Sequence, residues 1–366
     1  MQNLSQHWNT IQATLFPILE KELGPFTYKH QQVVITLEFA RVESFIRTYW
    51  GCVGRPPEDR SALARAFLAK AVYNFPRTTH LIDRLHCDPV LRRICGWETK
   101  SSIPSESTFS RAFSEFAESG LANRAHENFI DKYHADRLIG HISRDATEIE
   151  GREKAVKTFT PKILPKIGKK KRGRPKKGEE RPQPESKRLE RQLNMTLSEM
   201  LADLPKTCDI GTKKNSKGFK VSWKGYKLHI DTADGDIPIS ALLTSASVHD
   251  SQVSIPLATQ TAKRVQNCYD LMDSAYDAEI IRVHSQSLGH VALIDFNHRS
   301  PKDERTFAPH EAVRYKERSS AERVNSNLKD NFGGRFVCVK GHSKVFSHLM
   351  FGILALAIYQ TLHLLS

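Results

Sequence analysis

Cysteine pairs at the close spacing of zinc sites are missing from this 366-residue sequence. The six cysteines lie far apart and form no Cys-X-X-Cys motif, so the sequence indicates neither a zinc knuckle nor a disulfide scaffold. Buried free thiols in a reducing compartment are the simplest prediction for such residues.

Apolar runs long enough to cross a bilayer, which needs about 20 residues, are also missing. The stretch at 349–359 has 11 apolar residues and is followed by Gln360 and His363, which predicts a buried terminal helix. Residues 1–9 are polar, so no signal peptide is expected. We expect a cytoplasmic protein with no membrane partner.

Acidic residues are too few to balance the basic ones. The chain has 55 Lys and Arg residues against 41 Asp and Glu residues, a formal net charge of +14. Hydrophobic residues make up 39% of the chain, which excludes a largely disordered protein. The positive excess predicts an anionic partner, and nucleic acid is the first candidate.

Residues 1–135 show the apolar spacing of helices. Hydrophobic side chains recur at helical intervals along 37–46 and 63–72, and Gly and Pro residues separate such stretches. A run of short helices joined by tight turns is what a helix-turn-helix unit requires. We therefore expect an all-α domain over 1–135 that contains such a unit.

The last clear helix of this region is predicted to begin after Ser105, whose hydroxyl can cap it. Phe109 and Phe113 face inward, whereas Thr108 and Arg111 lie on the polar sides. Hydroxyls and arginine suit a helix that reads bases in the DNA major groove. An ordinary amphipathic surface helix is the alternative.

Acidic residues are absent from 161–177, where nine Lys and Arg residues lie together. Prolines and a glycine in this cluster argue against helix or strand, and we predict a disordered basic arm at about 151–205. Its centre resembles an AT-hook, with Arg172, Arg174 and Lys176 at an A·T-rich minor groove. A solvated linker that binds phosphates non-specifically is the alternative.

The remaining sequence alternates between strand and helix patterns, which predicts an α/β domain over 136–366 that the arm interrupts. The predicted strands lie at 138–145, 226–231 and 237–243, in a short segment ending at 273, and at 291–294. The predicted helices that follow the third and fourth strands lie at 251–266 and 277–287.

Three acidic residues stand out by their positions. Asp145 and Asp273 each end a predicted strand, and Glu322 lies on a predicted helix over 312–330. Carboxylates at strand ends and on a neighbouring helix can converge at one edge of a sheet. Such oxygen ligands suit Mg²⁺, and two ions about 3.5–4 Å apart can activate a nucleophile and stabilise the leaving oxygen of a phosphodiester.

The helix that carries Glu322 has two distinct faces. At about 100° per residue, Tyr315, Arg318, Glu322 and Lys329 share one stripe roughly 60° wide. The apolar residues form a separate face that can pack on a sheet. One acid flanked by Arg, Lys and Tyr suits metal ligation beside phosphate binding, and a solvated charged face is the alternative.

The Tyr-X2-Arg-X3-Glu-X6-Lys spacing of this stripe is similar to the signature helix of bacterial insertion-sequence DDE transposases. Four fixed residues at fixed spacing make the motif fairly specific. Other segments that resemble this group are Gly-Arg-Pro-Pro at 54–57, Ile-Pro-Ser-Glu-Ser-Thr-Phe at 103–109, Ser-Arg-Asp-Ala-Thr at 143–147, Val-His-Asp at 248–250 and Asp-Ser-Ala-Tyr-Asp at 273–277.

This resemblance implies a fold class and a metal site. The fold would be an α/β ribonuclease H-like catalytic core, a mixed sheet flanked by helices, joined to the all-α domain. Asp145, Asp273 and Glu322 would hold two Mg²⁺ ions, with Mn²⁺ as a substitute. The other three residues of the stripe would contact phosphates near the cleaved strand.

The resemblance also implies an activity and partners. A Mg-dependent DNA transposase binds terminal inverted repeats, cleaves donor strands and joins their 3′ ends to target DNA. Its partners would be double-stranded DNA and a second copy in a homodimeric complex, in the bacterial cytoplasm at the nucleoid. A catalytically silent DNA-binding protein and a structure-selective nuclease with the same core are the alternatives.

Other acids compete with this triad. Glu148 and Glu150 lie near the first position, and Asp270 and Asp277 near the second, but Asp273 is the best placed at a strand end. The 49 positions from Asp273 to the third acid leave no room for a large insertion domain, so a hairpin intermediate is not implied.

Two further features have simple structural interpretations. Asp250 follows His249 and is predicted to cap the helix that begins after it. Trp223 is predicted to be a core or strand-surface aromatic, although stacking on a flipped base is the alternative.

Overall fold

The computed structural model describes residues 2–47, 57–156, 186–214, 217–297 and 305–364. Its N-terminal part is helical, as the sequence predicts. The helices are α1 (Gln2–Thr10), α2 (Phe16–Leu23), α3 (Tyr28–Ala40), α4 (Arg60–Val72), α5 (Thr78–Cys87), α6 (Pro89–Cys95), α7 (Glu106–Ser119) and α8 (Leu121–His134). The predicted arm residues Arg172, Arg174 and Lys176 lie outside the described residues.

The inner face of α7 is buried, as its periodicity predicts. Three phenylalanines of this face pack around Phe67 of α4, and they are Phe109, Phe113 and Phe116. Ser105 stands at the N-cap position, but its hydroxyl lies 2.9 Å from the Ser107 hydroxyl and caps no backbone N–H. The predicted cap is therefore wrong, because the neighbouring hydroxyls satisfy each other.

The second part of the chain contains the sheet. Its elements are β1 (Leu138–Glu150), α9 (Arg188–Gln192), α10 (Leu197–Asp203), β2 (Asp209–Lys214), β3 (Lys220–Ala233), β4 (Ile237–Ser245), α11 (Ser251–Ala262), β5 (Gln266–Met272), α12 (Glu279–Ser287), β6 (Val291–Ile294), α13 (Pro309–Tyr315), α14 (Ser319–Asn331) and α15 (His342–His363). The predicted order of strands and helices is confirmed, but the sequence predicts neither α9, α10 nor β2.

The sheet is mixed and flanked by helices, as predicted. Its strands lie in the order β2-β3-β1-β5-β6, and β4 pairs with the second half of β3. The central strand β1 runs antiparallel to β3 and parallel to β5. Helix α14 packs on β1 and β3, and α11 packs on β3 and β4. This arrangement positions residues of α14 over the centre of the sheet.

Helix α15 is buried in the helical part of the protein, as the sequence predicts for a terminal helix. It packs against α3, α4, α7, α8 and β4. By length and composition it is the one described helix that could cross a membrane, but 78% of its most apolar window is buried. The hydrophobic core therefore extends across the predicted division between 1–135 and 136–366.

Residues 186–205, which the sequence assigns to the disordered arm, contain α9 and α10 instead. Helix α10 begins with a capping box of Thr196 and Glu199. Arg188 of α9 pairs with Asp203, with Nε and Oδ2 2.7 Å apart. Because these local interactions and packing on α11 hold both helices, the predicted end of the arm at 205 is wrong.

Candidate active site

Asp145 and Asp273 lie side by side on adjacent strands. The parallel register of β1 and β5 pairs Arg144 with Met272, and the two acids are the next residues along each strand. Neighbouring strands are about 4.8 Å apart, and the charges of the two carboxylates interact. The structure therefore brings together two of the three predicted acids.

Asp145 does not end its strand, contrary to the prediction. β1 continues to Glu150 because β3 pairs with it along this whole stretch. β5, in contrast, ends at Met272, level with Arg144. Asp145 is therefore the first residue of β1 beyond the end of β5, and this step in the sheet creates the candidate site.

Each of the two carboxylates accepts a defined hydrogen bond. Asp273 Oδ1 accepts the N–H of Ala275 at 3.0 Å, and Asp145 Oδ2 accepts an N–H of the Asn325 amide at 2.9 Å. Burial raises the pKa of Asp145 to about 6, and the charge of Asp273 adds to this effect. Burial also raises the pKa of Asp273, and the Arg318 guanidinium opposes both shifts.

Glu322 does not join the two aspartates in this structure. The predicted helix at 312–330 is divided into α13 and α14 by a 3-10 turn at Lys316–Arg318. The Glu322 side chain is 58% exposed and pairs with Arg318 one turn earlier. Among the described residues, no group of three His, Cys, Asp or Glu side chains lies close enough to hold a metal ion.

Helix α14 nevertheless lies over the candidate site. Asn325, three residues after Glu322, reaches Asp145. Sequence reasoning missed Asn325, because its position one turn after Glu322 places the two residues near each other on the helix but does not show that Asn325 reaches Asp145. The divided helix therefore places the predicted third acid next to the aspartate pair without bringing its carboxylate into contact.

The other residues of the signature stripe lie near the same strands. Tyr315 Oη donates to the Met272 carbonyl at 3.1 Å, at the end of β5. Lys329 Nζ lies 3.5 Å from Glu148 Oε1 on β1. Arg318 is close enough for its charge to act on Asp145. Two cationic side chains and a tyrosine hydroxyl thus lie near the aspartate pair.

Three of the four competing acids pair with other residues, and the fourth, Glu150, is exposed at the end of β1. Glu148 pairs with Lys213 at 2.6 Å. Asp270 is buried beside His290, with Oδ2 and Nδ1 3.3 Å apart. Asp277 pairs with Arg282 at 2.8 Å. Their partners distinguish these acids from the adjacent pair at the end of β5.

Asp250 does not have the predicted capping role. It adopts helical backbone angles before α11, and its side chain caps no N–H. Its Oδ1 instead accepts a hydrogen bond from Lys227 Nζ at 2.9 Å. Burial, followed by the charges of Asp250, Asp145 and Asp273, raises the pKa of Tyr276. The charge of Asp250 therefore acts on the surroundings of Asp145 and Asp273 as well.

A buried ion pair lies directly behind the aspartate pair. Arg144 donates two hydrogen bonds of 2.7 Å to the carboxylate of Asp231, and the two side chains are 1% and 0% exposed. Thr261 donates to the same carboxylate at 2.7 Å. Arg144 also contacts Ser254 Oγ and Met272 Sδ, each at 3.3 Å. This network connects Arg144, which precedes Asp145, with Met272, which precedes Asp273.

The donor set at the aspartate pair fits a hard divalent cation. Asp145 and Asp273 supply carboxylate oxygens, and the Asn325 amide oxygen is buried without a hydrogen-bond partner among the described residues. Burial raises the pKa of both acids, as expected where a cation would offset the carboxylate charges. Glu322 completes the set only if it leaves Arg318.

The predicted base-reading residues lie together on α7. Arg111 is exposed and donates to the Thr108 hydroxyl at 3.4 Å, and Thr108 is half-buried. Both lie opposite the buried phenylalanine face of the helix. Their placement agrees with the predicted polar side of α7.

Two protein-family models match the chain. A model described as the transposase DDE domain matches residues 201–358, and one described as a transposase domain (DUF772) matches residues 23–115. The first match includes Asp273 and Glu322, whereas Asp145 lies outside both. No curated protein and no solved structure matches the chain significantly.

Proposed function

The chain belongs to the insertion-sequence DDE transposases, and we propose that Asp145, Asp273 and Glu322 are the carboxylates with which it cleaves and joins DNA. The observation that carries this proposal is the adjacency of Asp145 and Asp273 in the sheet register, beneath the helix that bears Glu322. The mixed sheet flanked by helices fits the ribonuclease H-like core of this family.

DDE transposases generally use divalent metal ions. In our proposal, the three carboxylates hold two Mg²⁺ ions, with Mn²⁺ as a substitute. The ions would activate the attacking oxygen and stabilise the leaving oxygen of the phosphodiester. A DNA phosphate would replace Glu322 as the partner of the Arg318 guanidinium, because arginine binds phosphate through paired hydrogen bonds. Glu322 is then free to turn towards the aspartates.

The remaining site residues bind DNA in this proposal. Arg318 and Lys329 neutralise phosphates beside the cut strand, and the Tyr315 hydroxyl helps to orient that strand. Helix α7 reads bases of the terminal inverted repeats within a helix-turn-helix unit. Two copies of the chain act together on the element ends and on target DNA, in the bacterial cytoplasm.

The experiment that tests this function is a strand-cleavage and joining assay. Purified protein, Mg²⁺ and a duplex carrying one element end are incubated, and new 3′ ends and joined products are resolved on a denaturing gel. Cleavage at the repeat boundary and joining to a second duplex are the expected results. Specific binding without cleavage would favour a catalytically silent DNA-binding protein, and structure-dependent cutting without joining would favour a nuclease.

Arg111→Ala is expected to reduce discrimination between true and scrambled element ends. If Arg111 contacts a base, its removal costs about 1–3 kcal/mol on the true end and much less on the scrambled one. Competition binding with both duplexes measures the difference. Equal weakening on both would mean that Arg111 touches only the DNA backbone.

Replacing 169–177 with a Gly/Ser linker of equal length is expected to weaken general DNA binding. The change removes seven positive charges, including Arg172, Arg174 and Lys176. The slope of log affinity against log salt should flatten by about 0.9 for each phosphate that is no longer neutralised. A larger decrease in affinity on A·T-rich than on G·C-rich duplexes would support the AT-hook, whereas an unchanged slope would contradict DNA binding by this segment.

A further inference from the structure

Strand β2 and the first part of β3 form a two-stranded ribbon that the sequence does not predict. The ribbon pairs Asp209 with Gly225 at its base and Lys214 with Lys220 near its tip. Beyond Gly225, β3 leaves β2 and pairs with β1 and β4. The ribbon is therefore a direct extension of the sheet that carries the candidate active site.

Several interactions fix the base of the ribbon. The Ser247 N–H donates to Asp209 Oδ1 at 3.0 Å. The Trp223 Nε1–H donates to the Tyr226 carbonyl at 3.0 Å, which supports the structural interpretation of this aromatic. A Cβ at Gly211 would clash with the Trp223 ring, so this position requires glycine. The ribbon therefore cannot move freely relative to the sheet.

One ion-pair chain connects the ribbon to the catalytic region. Lys213 of β2 pairs with Glu148 of β1, and Glu148 also lies 3.5 Å from Lys329 of the signature stripe. The cations of the ribbon and of α14 thus meet at one carboxylate. Lys329 and the ribbon are therefore separated by a single carboxylate.

The other face of the ribbon presents donors suited to phosphate. Residues that pair directly across two strands share a face, and Thr212 pairs with Ser222 while Ile210 pairs with Lys224. The hydroxyls of Thr212 and Ser222 are 3.1 Å apart and exposed. Lys220 and Lys224 are exposed on this face, and no ion pair to either is found among the described residues.

We propose that this face of the ribbon binds the phosphate backbone of duplex DNA next to the strand being cut. Lysines and small hydroxyls are typical backbone-binding groups that position a protein on DNA without reading sequence. A second copy of the chain is a poorer occupant, because lysine is depleted at protein interfaces and the two positive faces would repel each other. This inference rests on the proposed function.

The first test compares two full-length double variants. Lys220→Gln/Lys224→Gln removes the charges of the ribbon, and Lys21→Gln/Lys263→Gln removes two exposed charges elsewhere. On a random-sequence duplex, the salt slope of the ribbon variant should flatten by roughly 1.8, since each phosphate that is no longer neutralised accounts for about 0.9. The control variant should keep the wild-type slope. Equal slopes for all three proteins would overturn the proposal.

The second test places a photocrosslinker on the ribbon and does not depend on charge. p-Benzoylphenylalanine at Ser222 should form adducts with DNA, and the same group at Val283, an exposed position on α12, should not. Crosslinks from Ser222 to a second protein chain, without DNA adducts, would overturn the proposal.

Parallel cleavage assays separate this inference from the proposed function. If the wild-type protein binds and cleaves DNA but the ribbon variant keeps the full salt slope, DNA binding by the ribbon is disproved and the proposed function stands. Wild-type protein that binds no DNA disproves both.

Discussion

Asp145→Asn, Asp273→Asn and Glu322→Gln are each expected to abolish strand cleavage while leaving DNA binding nearly unchanged. Each change removes one negative charge at similar volume. The decrease in cleavage rate should be on the order of 10³-fold or more, since metal-assisted charge stabilisation is worth several kcal/mol. Single-turnover cleavage and a parallel binding titration measure the two properties separately.

A matched control for these variants is Glu150→Gln. Glu150 is an exposed acid on the same strand as Asp145, at its far end. Its replacement changes the net charge equally and should leave cleavage within about two-fold of wild type, as expected for a surface substitution. If one of the three variants cleaves as well as this control, the residue that it replaces is not one of the catalytic carboxylates.

Stability measurements can exclude misfolding as the cause of abolished cleavage. The folded-state pKa of Asp145 is raised from 3.8 to about 6, so without metal its ionisation destabilises the fold. This penalty is absent below the pKa that Asp145 has in the unfolded protein. It grows as the pH rises from that pKa to the pKa of the folded protein, and it is complete above the latter. Asp145→Asn should therefore stabilise the metal-free protein at pH 7 by up to about 3 kcal/mol.

The sequence predicts most of the fold because its periodic patterns are strong. The helices of 1–135 and the strands that contain Asp145 and precede Asp273 follow directly from apolar spacing. The predictions that fail depend on tertiary partners. β1 extends to Glu150 because β3 continues to pair with it, and α10 forms because a capping box and the surface of α11 support it.

The candidate site shows the same limit. The signature spacing identifies Tyr315, Arg318, Glu322 and Lys329, but it assumes one continuous helix. The 3-10 turn before α14 changes the geometry, and Glu322 pairs with Arg318 instead of facing the aspartates. Asn325 is identified only when α14 is packed on β1. Interactions across elements, unlike periodicity, cannot be read from spacing alone.

Arg144→Met is expected to destabilise the protein by about 3–5 kcal/mol, because it leaves the carboxylate of Asp231 buried without its cation. The Arg144–Asp231 pair is almost completely inaccessible, and Thr261 supplies only one neutral hydrogen bond to that carboxylate. Equilibrium unfolding in urea measures the free energy of unfolding for each variant.

The double variant Arg144→Met/Asp231→Leu should recover most of this stability, since a buried ion pair and well-packed apolar residues of similar volume are often nearly equal in stability. Cleavage should not recover in parallel, because Arg144 also joins β1 to Met272 and so holds Asp145 level with Asp273. A double variant as unstable as Arg144→Met would show that the buried ion pair stabilises the fold more than apolar residues of similar volume do. A stable double variant with full cleavage would show that the pair does not position the catalytic acids.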